Sequence, residues 1–260
     1  MDEQQVDLHI RPLFSRSLQY SQDVIYLANH SLGRALDQTE NDVMEGLGYW
    51  YTDRENAWDR WLEEVATFRQ RVATLIYAPR PDCVVPKASA GQGLRSILNC
   101  YDRPIKVITS ADEFNSIDHI LKVYAQRGRI QLKRIEPKIN RCYQIEDFLK
   151  AIQAGTDLVV LSMVLFTTGQ LLSNLPSLIK AAHDQGAKVL LDLYHAAGVV
   201  PVDVADLDID FAIGGSYKYL RGGPGASWLY LHPRHLDGTL ETLDSGWFAQ
   251  ANPFAFERHQ

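Results

Sequence analysis

Lys218 stands in "FAIGGSYKYLRGGPGASWLYL" (211–231), between two tyrosines, with no acidic residue within five positions on either side. One apolar run leads in from Phe211 and another leads out to Leu231, and glycines flank the lysine on both sides. An ammonium at the end of an apolar strand loses hydration and its pKa falls. The neutral amine so produced is a nucleophile for carbonyl carbon. Asp192 and His195 share a second segment, "LLDLYHAAG". Both side chains suit zinc or iron, but no third ligand stands at a matching spacing, so a hydrogen-bonded pair at a strand end is the better reading and no metal is expected. A third segment, Ser89–Gly93, follows an apolar run and opens a helical one, and so offers free N–H groups to a phosphate.

Two other chemistries weigh less. "GQGLRS" (91–96) has the look of a dinucleotide loop, with Asp112 about twenty residues on, but Ser96 takes the place of the third glycine. "GGSYK" has its serine after two glycines, yet Lys218 occupies the position where a nucleophile elbow needs glycine. A lone lysine is ordinarily a solvated surface residue; the apolar strand and the glycines argue against that here. Taken together, the polar residues meet the demands of pyridoxal phosphate. Lys218 answers its aldehyde, Ser89–Gly93 its phosphate, Asp192 its ring nitrogen and Phe114 its ring face.

These groups need a scaffold, and the chain alternates in a way that supplies one. Strand-like "CVVP", "IKVIT", "IQLKRIEP", "DLVVLSMV", "AKVLLDL", "DFAIG" and "ASWLYL" are separated, for the most part, by helix-like segments. That pattern predicts an α/β fold, a mostly parallel sheet with helices on both faces, whose ligands gather beyond the carboxyl ends of the strands. Ser89–Gly93, Asp112–Asn115, Ser162, Asp192 with His195, and Ser216–Lys218 all fall at such ends, which implies one shared pocket. Trp58, Trp61, Leu62, Val65, Phe68, Val72, Leu75 and Ile76 recur at spacings of three and four and predict a long helix closed by "APRPD". The run "VIYLANHSLG" (24–33) is short, apolar and ended by turn residues.

The chain has 260 residues, 46% hydrophobic and 22% charged, with net charge −6 and pI near 5.7. That is enough for one large core or two domains and leaves no basic footprint for nucleic acid. No apolar run approaches the roughly 20 residues that span a bilayer. The N-terminus is acidic and polar, unlike a signal peptide. Cys83, Cys100 and Cys142 are far apart and read as free thiols. A cytoplasmic protein is expected.

The segment 190–233 resembles the pyridoxal-phosphate core of fold-type I enzymes of aminotransferase class V, and within them the kynureninase family. That family carries D-x-x-H-A-x-G, then S-Y-K-Y-L before a glycine-rich turn. "IYLANHSLG", "DEFNSIDHI", "FTTGQLLSNLPSLIKAAHDQGAKV" and "SGWFAQANPFAF" extend the likeness from Val24 to Phe256. The resemblance implies a fold-type I large domain over 51–245, an N-terminal segment over 1–50 packed on it, and the start of a truncated small domain over 246–260. It implies Lys218 as Schiff-base lysine and proton shuttle, Asp192 at the pyridinium nitrogen, His195 near the ring, and Tyr217 at the phosphate and in proton relay. Ser89 and Ala90 would bind phosphate, Phe114 would stack, Ser162 would sit beside the ring, and Trp247 would contact phosphate or roof the substrate. The implied reaction is hydrolysis of L-kynurenine or its 3-hydroxy form to the anthranilate and L-alanine, a step of tryptophan catabolism, by a homodimer. Rival expectations are another class V activity, such as an aminotransferase or epimerase, or a pseudoenzyme that binds the cofactor without turnover. A desulfurase is disfavoured because all three cysteines precede Lys218. The family's arginine for the substrate carboxylate has no counterpart after Trp247 except Arg258, so cofactor binding with poor turnover of kynurenine is expected; efficient turnover would point instead to an arginine elsewhere, such as Arg221 or Arg34.

Overall fold

The computed structural model describes residues 2–21, 23–250 and 252–256. Among these residues seven strands form one sheet: β1 (Val84–Lys87), β2 (Ile105–Ser110), β3 (Ile130–Ile135), β4 (Leu158–Ser162), β5 (Lys188–Asp192), β6 (Phe211–Gly215) and β7 (Ser227–Leu231). Their spatial order is β1-β7-β6-β5-β4-β2-β3. Only β7 runs against the rest, antiparallel to both β6 and β1. Among the described residues eight α-helices accompany them: α1 (Glu3–His9), α2 (Ser15–Gln19), α3 (Gln38–Thr52), α4 (Ala57–Leu75), α5 (Ala90–Leu98), α6 (Asn115–Gln126), α7 (Ile145–Ala151) and α8 (Leu175–Asp184). None of the described helices is long and apolar enough to cross a membrane.

The central strands bury both faces, so their sequences are apolar at consecutive positions rather than alternate ones. Along β4, Val159 and Leu161 enter a core formed with α4, α7 and α8, while Leu158 and Val160 enter a second core formed with α5 and α6. The same period of two splits β5, with Val189 and Leu191 on the first face and Leu190 on the second. The helices match: Leu94 and Ile97 of α5 and Ile117 and Leu121 of α6 cover one side, and Leu178, Ile179 and Ala182 of α8 cover the other.

Several sequence expectations shift at their edges. The helix expected over 58–76 spans Ala57–Leu75, and only its Ala57, Val72 and Ala73 are buried. Trp58, Leu62 and Val65 are exposed, so the aromatic start of α4 does not pack the interior. The apolar run 24–33 forms no strand, and Val24, Ile25 and Leu27 face solvent. Helix α3 was not foreseen, because Gly46 and Gly48 weaken its helical signal.

At the amino ends of the strands, Asp210 is buried where it can accept from His183 Nε2 (2.9 Å), His235 Nε2 (2.7 Å) and the Val189 amide (2.8 Å). Burial alone would raise this carboxyl; the bonds from His235, His183 and Val189 outweigh it and hold it at about 2. A carboxylate depressed on folding contributes stability above its unfolded pKa near 4 and loses it as pH falls toward 2. Asp210→Asn is expected to cost about 1–3 kcal/mol at pH 7 and to flatten the loss of stability between pH 4 and 2, as read by denaturant unfolding across that range. An unchanged acid limb would remove Asp210 from the cause.

Candidate active site

Lys218 follows the carboxyl end of β6 and is 3% exposed. Its Nζ lies 5.0 Å from the centre of the Phe114 ring, 5.5 Å from that of Tyr194 and 5.8 Å from that of Tyr217. The nearest polar partner is His195 Nε2, at 2.6 Å. Burial lowers the Lys218 pKa, opposed by the charge of Asp192. His195 is pushed down to about 4 by burial and by the lysine charge, so its ring is neutral at pH 7. The same Nε2 lies 3.3 Å from the His30 carbonyl oxygen. A neutral nitrogen cannot both accept from the amine and donate to a carbonyl, and the shorter contact assigns it as acceptor from Lys218.

Asp192 ends β5, one strand over, in register with Ser162 of β4 and Ile213 of β6. One of its oxygens accepts from the Tyr194 amide at 2.8 Å. The other makes no hydrogen bond among the described residues, and Asp192 lines the cavity. Burial raises this carboxyl to about 6, restrained by the Tyr194 amide and the lysine charge. A buried carboxylate with one open oxygen asks for a cationic or N–H donor.

The cavity is about 440 Å³ and gathers Ser89, Ala90, Phe114, Asp192, His195, Tyr217 and Lys218. Ser89 caps α5: its hydroxyl oxygen accepts from the Gln92 amide at 3.2 Å, which leaves the hydroxyl hydrogen free to donate. The amides of Ala90 and Gly91 open the helix and have no intrahelical acceptor. The helix therefore begins at Ala90, earlier than the glycines alone would place it, and aims its amino end into the cavity.

Two expected residues lie elsewhere. Ser162 does not line the cavity; its hydroxyl donates to Glu113 Oε2 (2.6 Å) and its amide to Oε1 (3.2 Å). Trp247 does not line the cavity; it packs edge-on in an aromatic cluster, 5.8 Å from Trp58 and 5.2 Å from Phe254. Arg258 lies outside the described residues. Glu113, read in the sequence only as part of the strand-end stretch 112–115, also accepts from Ser110 Oγ at 2.6 Å and is raised to about 7 by burial against those three hydrogen bonds. It clamps the end of β2 to the end of β4 beside Asp192. Sequence reasoning missed Arg95 and His119 of the cavity wall. Their signal was helical spacing: Arg95 stands four residues after Gly91, and His119 three after Ser116, which also lines the cavity.

The N-terminal turn is fastened to the lysine loop by the Gly33 amide, which donates to the Tyr217 carbonyl at 2.8 Å. A Cβ at Gly33 would sit 1.9 Å from the Lys218 carbonyl oxygen, so only glycine allows this approach.

The aminotransferase class-V family model matches residues 37–251, and the chain belongs to that family. Among curated relatives, it is 28% identical over 263 residues to kynureninase of Bacillus cereus, covering 94% of this chain and 59% of that one. It is 32% identical over 248 residues to kynureninase of Salinispora tropica, covering 88% and 57%. The chain thus spans about three-fifths of the length of the curated relatives it matches. Among solved structures, a C-DES mutant with glycine covalently linked to its PLP cofactor superposes with TM-score 0.76 at 20% identity, covering 87% of this chain and 60% of that one. The cysteine desulfurase of Thermococcus onnurineus superposes with TM-score 0.70 at 21% identity, covering 86% and 58%. Both share its fold: a mostly parallel seven-stranded sheet with helices.

Two outcomes are expected. Gly33→Ala should detach the N-terminal turn, seen as faster proteolysis within residues 23–34 while the sheet core stays protected; unchanged cleavage would show that the turn is held otherwise. A carboxyl raised on folding stabilises below its unfolded pKa and loses that contribution as pH rises through its folded pKa. Asp192 and Glu113 should therefore make the protein, free of small molecules, less stable as pH rises from 4 to 7. Asp192→Asn should remove on the order of 2 kcal/mol of that decline, measured by urea unfolding at pH 4.5 and 7. A decline of the same size in the variant would count against Asp192.

Proposed function

We propose that this chain carries the pyridoxal-phosphate site of a kynureninase-type hydrolase. The reading rests on one observation above the others: a desolvated lysine amine and a half-satisfied buried carboxylate share a cavity with the open amino end of a helix. The kynureninase names of its curated relatives support the choice of substrate. When bound, pyridoxal phosphate supplies a carbonyl for an amine and a protonated ring that accepts electron density from Cα.

The chain's own residues supply the rest. Ser89 Oγ and the Ala90 and Gly91 amides bind the phosphate. The open oxygen of Asp192 holds the proton on the ring nitrogen. Phe114 covers a ring face and excludes water. Lys218, its pKa lowered by burial, takes the substrate Cα proton, and neutral His195 orients its amine. Tyr217, whose hydroxyl makes no hydrogen bond among the described residues, serves the phosphate or relays a proton. L-kynurenine and water give anthranilate and L-alanine by cleavage of the Cβ–Cγ bond. We also assign a two-fold homodimer, joined through the exposed aromatic start of α4 with Trp247 and Phe248.

Borohydride treatment of the loaded protein should fix the cofactor on the peptide containing Lys218, and incubation with L-kynurenine should release anthranilate. Lys218→Ala should lower that release at least about a hundredfold. Label on another lysine would sink the site; label on Lys218 with no anthranilate would sink the substrate alone.

A further inference from the structure

One buried acid beside the cavity takes no part in the chemistry proposed above. Glu113 is 3% exposed and directly precedes Phe114 in the loop between β2 and α6. A carboxyl so placed is disfavoured by desolvation, and an apolar side chain of that size would pack there without the penalty. Desolvation raises its pKa, and the nearby charge of Asp192 adds to the rise. A group kept against both effects points to a use for its two oxygens.

Those oxygens close a gap in the sheet. The β2–β4 ladder pairs as far as Thr109 and Val160. Beyond it Ser110 and Ser162 have no ladder partner across the two strands. Glu113 fills the space: Oε1 accepts from Ser110 Oγ (2.6 Å) and the Ser162 amide (3.2 Å), and Oε2 accepts from Ser162 Oγ (2.6 Å). Ser162 is in turn the register partner of Asp192. The next residue faces the other way. Phe114 lines the cavity, with Lys218 Nζ 5.0 Å from its ring centre. It precedes α6 as the cap residue and its side chain makes no capping bond. Its ring meets Phe166 edge-on at 5.4 Å, and Phe166 is itself exposed, so the height of the Phe114 ring depends on its backbone.

We propose that Glu113 is a positioning residue of the cofactor site: its carboxyl ties the backbone of Phe114 to Ser162, and so fixes the gap between the Phe114 ring and the Asp192 carboxylate. The assignment rests on the function proposed above. Reach, rather than charge, is the property that matters. Glutamine at this position keeps the reach, with its carbonyl in the place of Oε1 and its NH2 donating to a turned Ser162 hydroxyl. Aspartate keeps the charge but is one methylene short of spanning to both serines. Removing the bridge leaves buried donors without partners, so the loop shifts to satisfy them.

The test uses the full chain loaded with pyridoxal phosphate. It reads the dissociation constant of the cofactor and the visible circular dichroism per bound cofactor, which an achiral ring acquires only from fixed asymmetric surroundings. Borohydride labelling checks in each variant that the cofactor is on Lys218. Glu113→Ala and Glu113→Asp should each weaken binding about tenfold or more and lose roughly half of the dichroism at saturation. Glu113→Gln should keep both within about twofold of the parent. Ser162→Ala should weaken binding in the parent and add nothing to Glu113→Ala, because the two residues act as one unit. If the alanine variant fails to fold, the comparison of aspartate with glutamine decides. Parent-like affinity and dichroism in Glu113→Ala or Glu113→Asp, with only a lower urea midpoint, would make Glu113 a structural residue and overturn the proposal. A defective Glu113→Gln beside a parent-like Glu113→Asp would assign the role to charge and overturn it as well. A parent that takes up no cofactor on Lys218 removes the site proposed above and this role with it; a labelled Lys218 with an unaffected Glu113→Ala removes this role alone.

Discussion

The structure turns on a lysine amine taken out of water without a counter-charge in contact. Lys218 is enclosed by three aromatic rings and touches a neutral imidazole rather than a carboxylate. An ion pair would have kept the ammonium charged and inert. Rings and imidazole instead let desolvation work against the charge, and Asp192 tempers the shift from one strand away without cancelling it. The rest of the cavity answers the same problem. Asp192 and Ser89 are each held by a backbone amide with bonding capacity to spare, the second oxygen of Asp192 and the hydroxyl hydrogen of Ser89, and the first amides of α5 open beside them.

Holding those groups requires a stiff floor. The carboxyl ends of β4, β5 and β6 lie side by side in fixed register, so Ser162, Asp192 and Ile213 come level. Glu113 adds a buried crosslink at this end, drawing in Ser110 of β2 and Ser162 of β4. At the opposite end Asp210 gathers His183, His235 and the amide of Val189. The two buried acids respond oppositely to their surroundings. Glu113 gains too little from two hydroxyls and one amide to offset its desolvation, whereas Asp210 gains more than burial takes, with two imidazoles and the Arg234 guanidinium close by. The pH at which each end of the sheet is strongest therefore differs.

The N-terminal segment closes one side of the site through few but well-placed contacts. Gly33 meets the lysine loop at a distance that admits no side chain, and His30 approaches His195. That docking brings Arg34 beside Arg221, residues far apart in the chain. It also creates a wall that the sheet alone would not have.

Much of the site could be read in the sequence, because strand-end chemistry is local. An apolar run followed by a polar residue places that residue at one end of the sheet whatever the strand order, and this sufficed for Lys218, Asp192, His195, Ser89 and Phe114. Buried strands and amphipathic helices were legible for the same reason, since their periods lie within a few residues. What required the tertiary structure was every pairing across the chain. Strand order brought Ser162 to Glu113 rather than to the cavity. Ring packing drew Trp247 to Trp58. Docking of a turn brought Arg34 beside Arg221. Such contacts depend on which surfaces meet after the sheet has formed, and no local pattern of residue types carries that information.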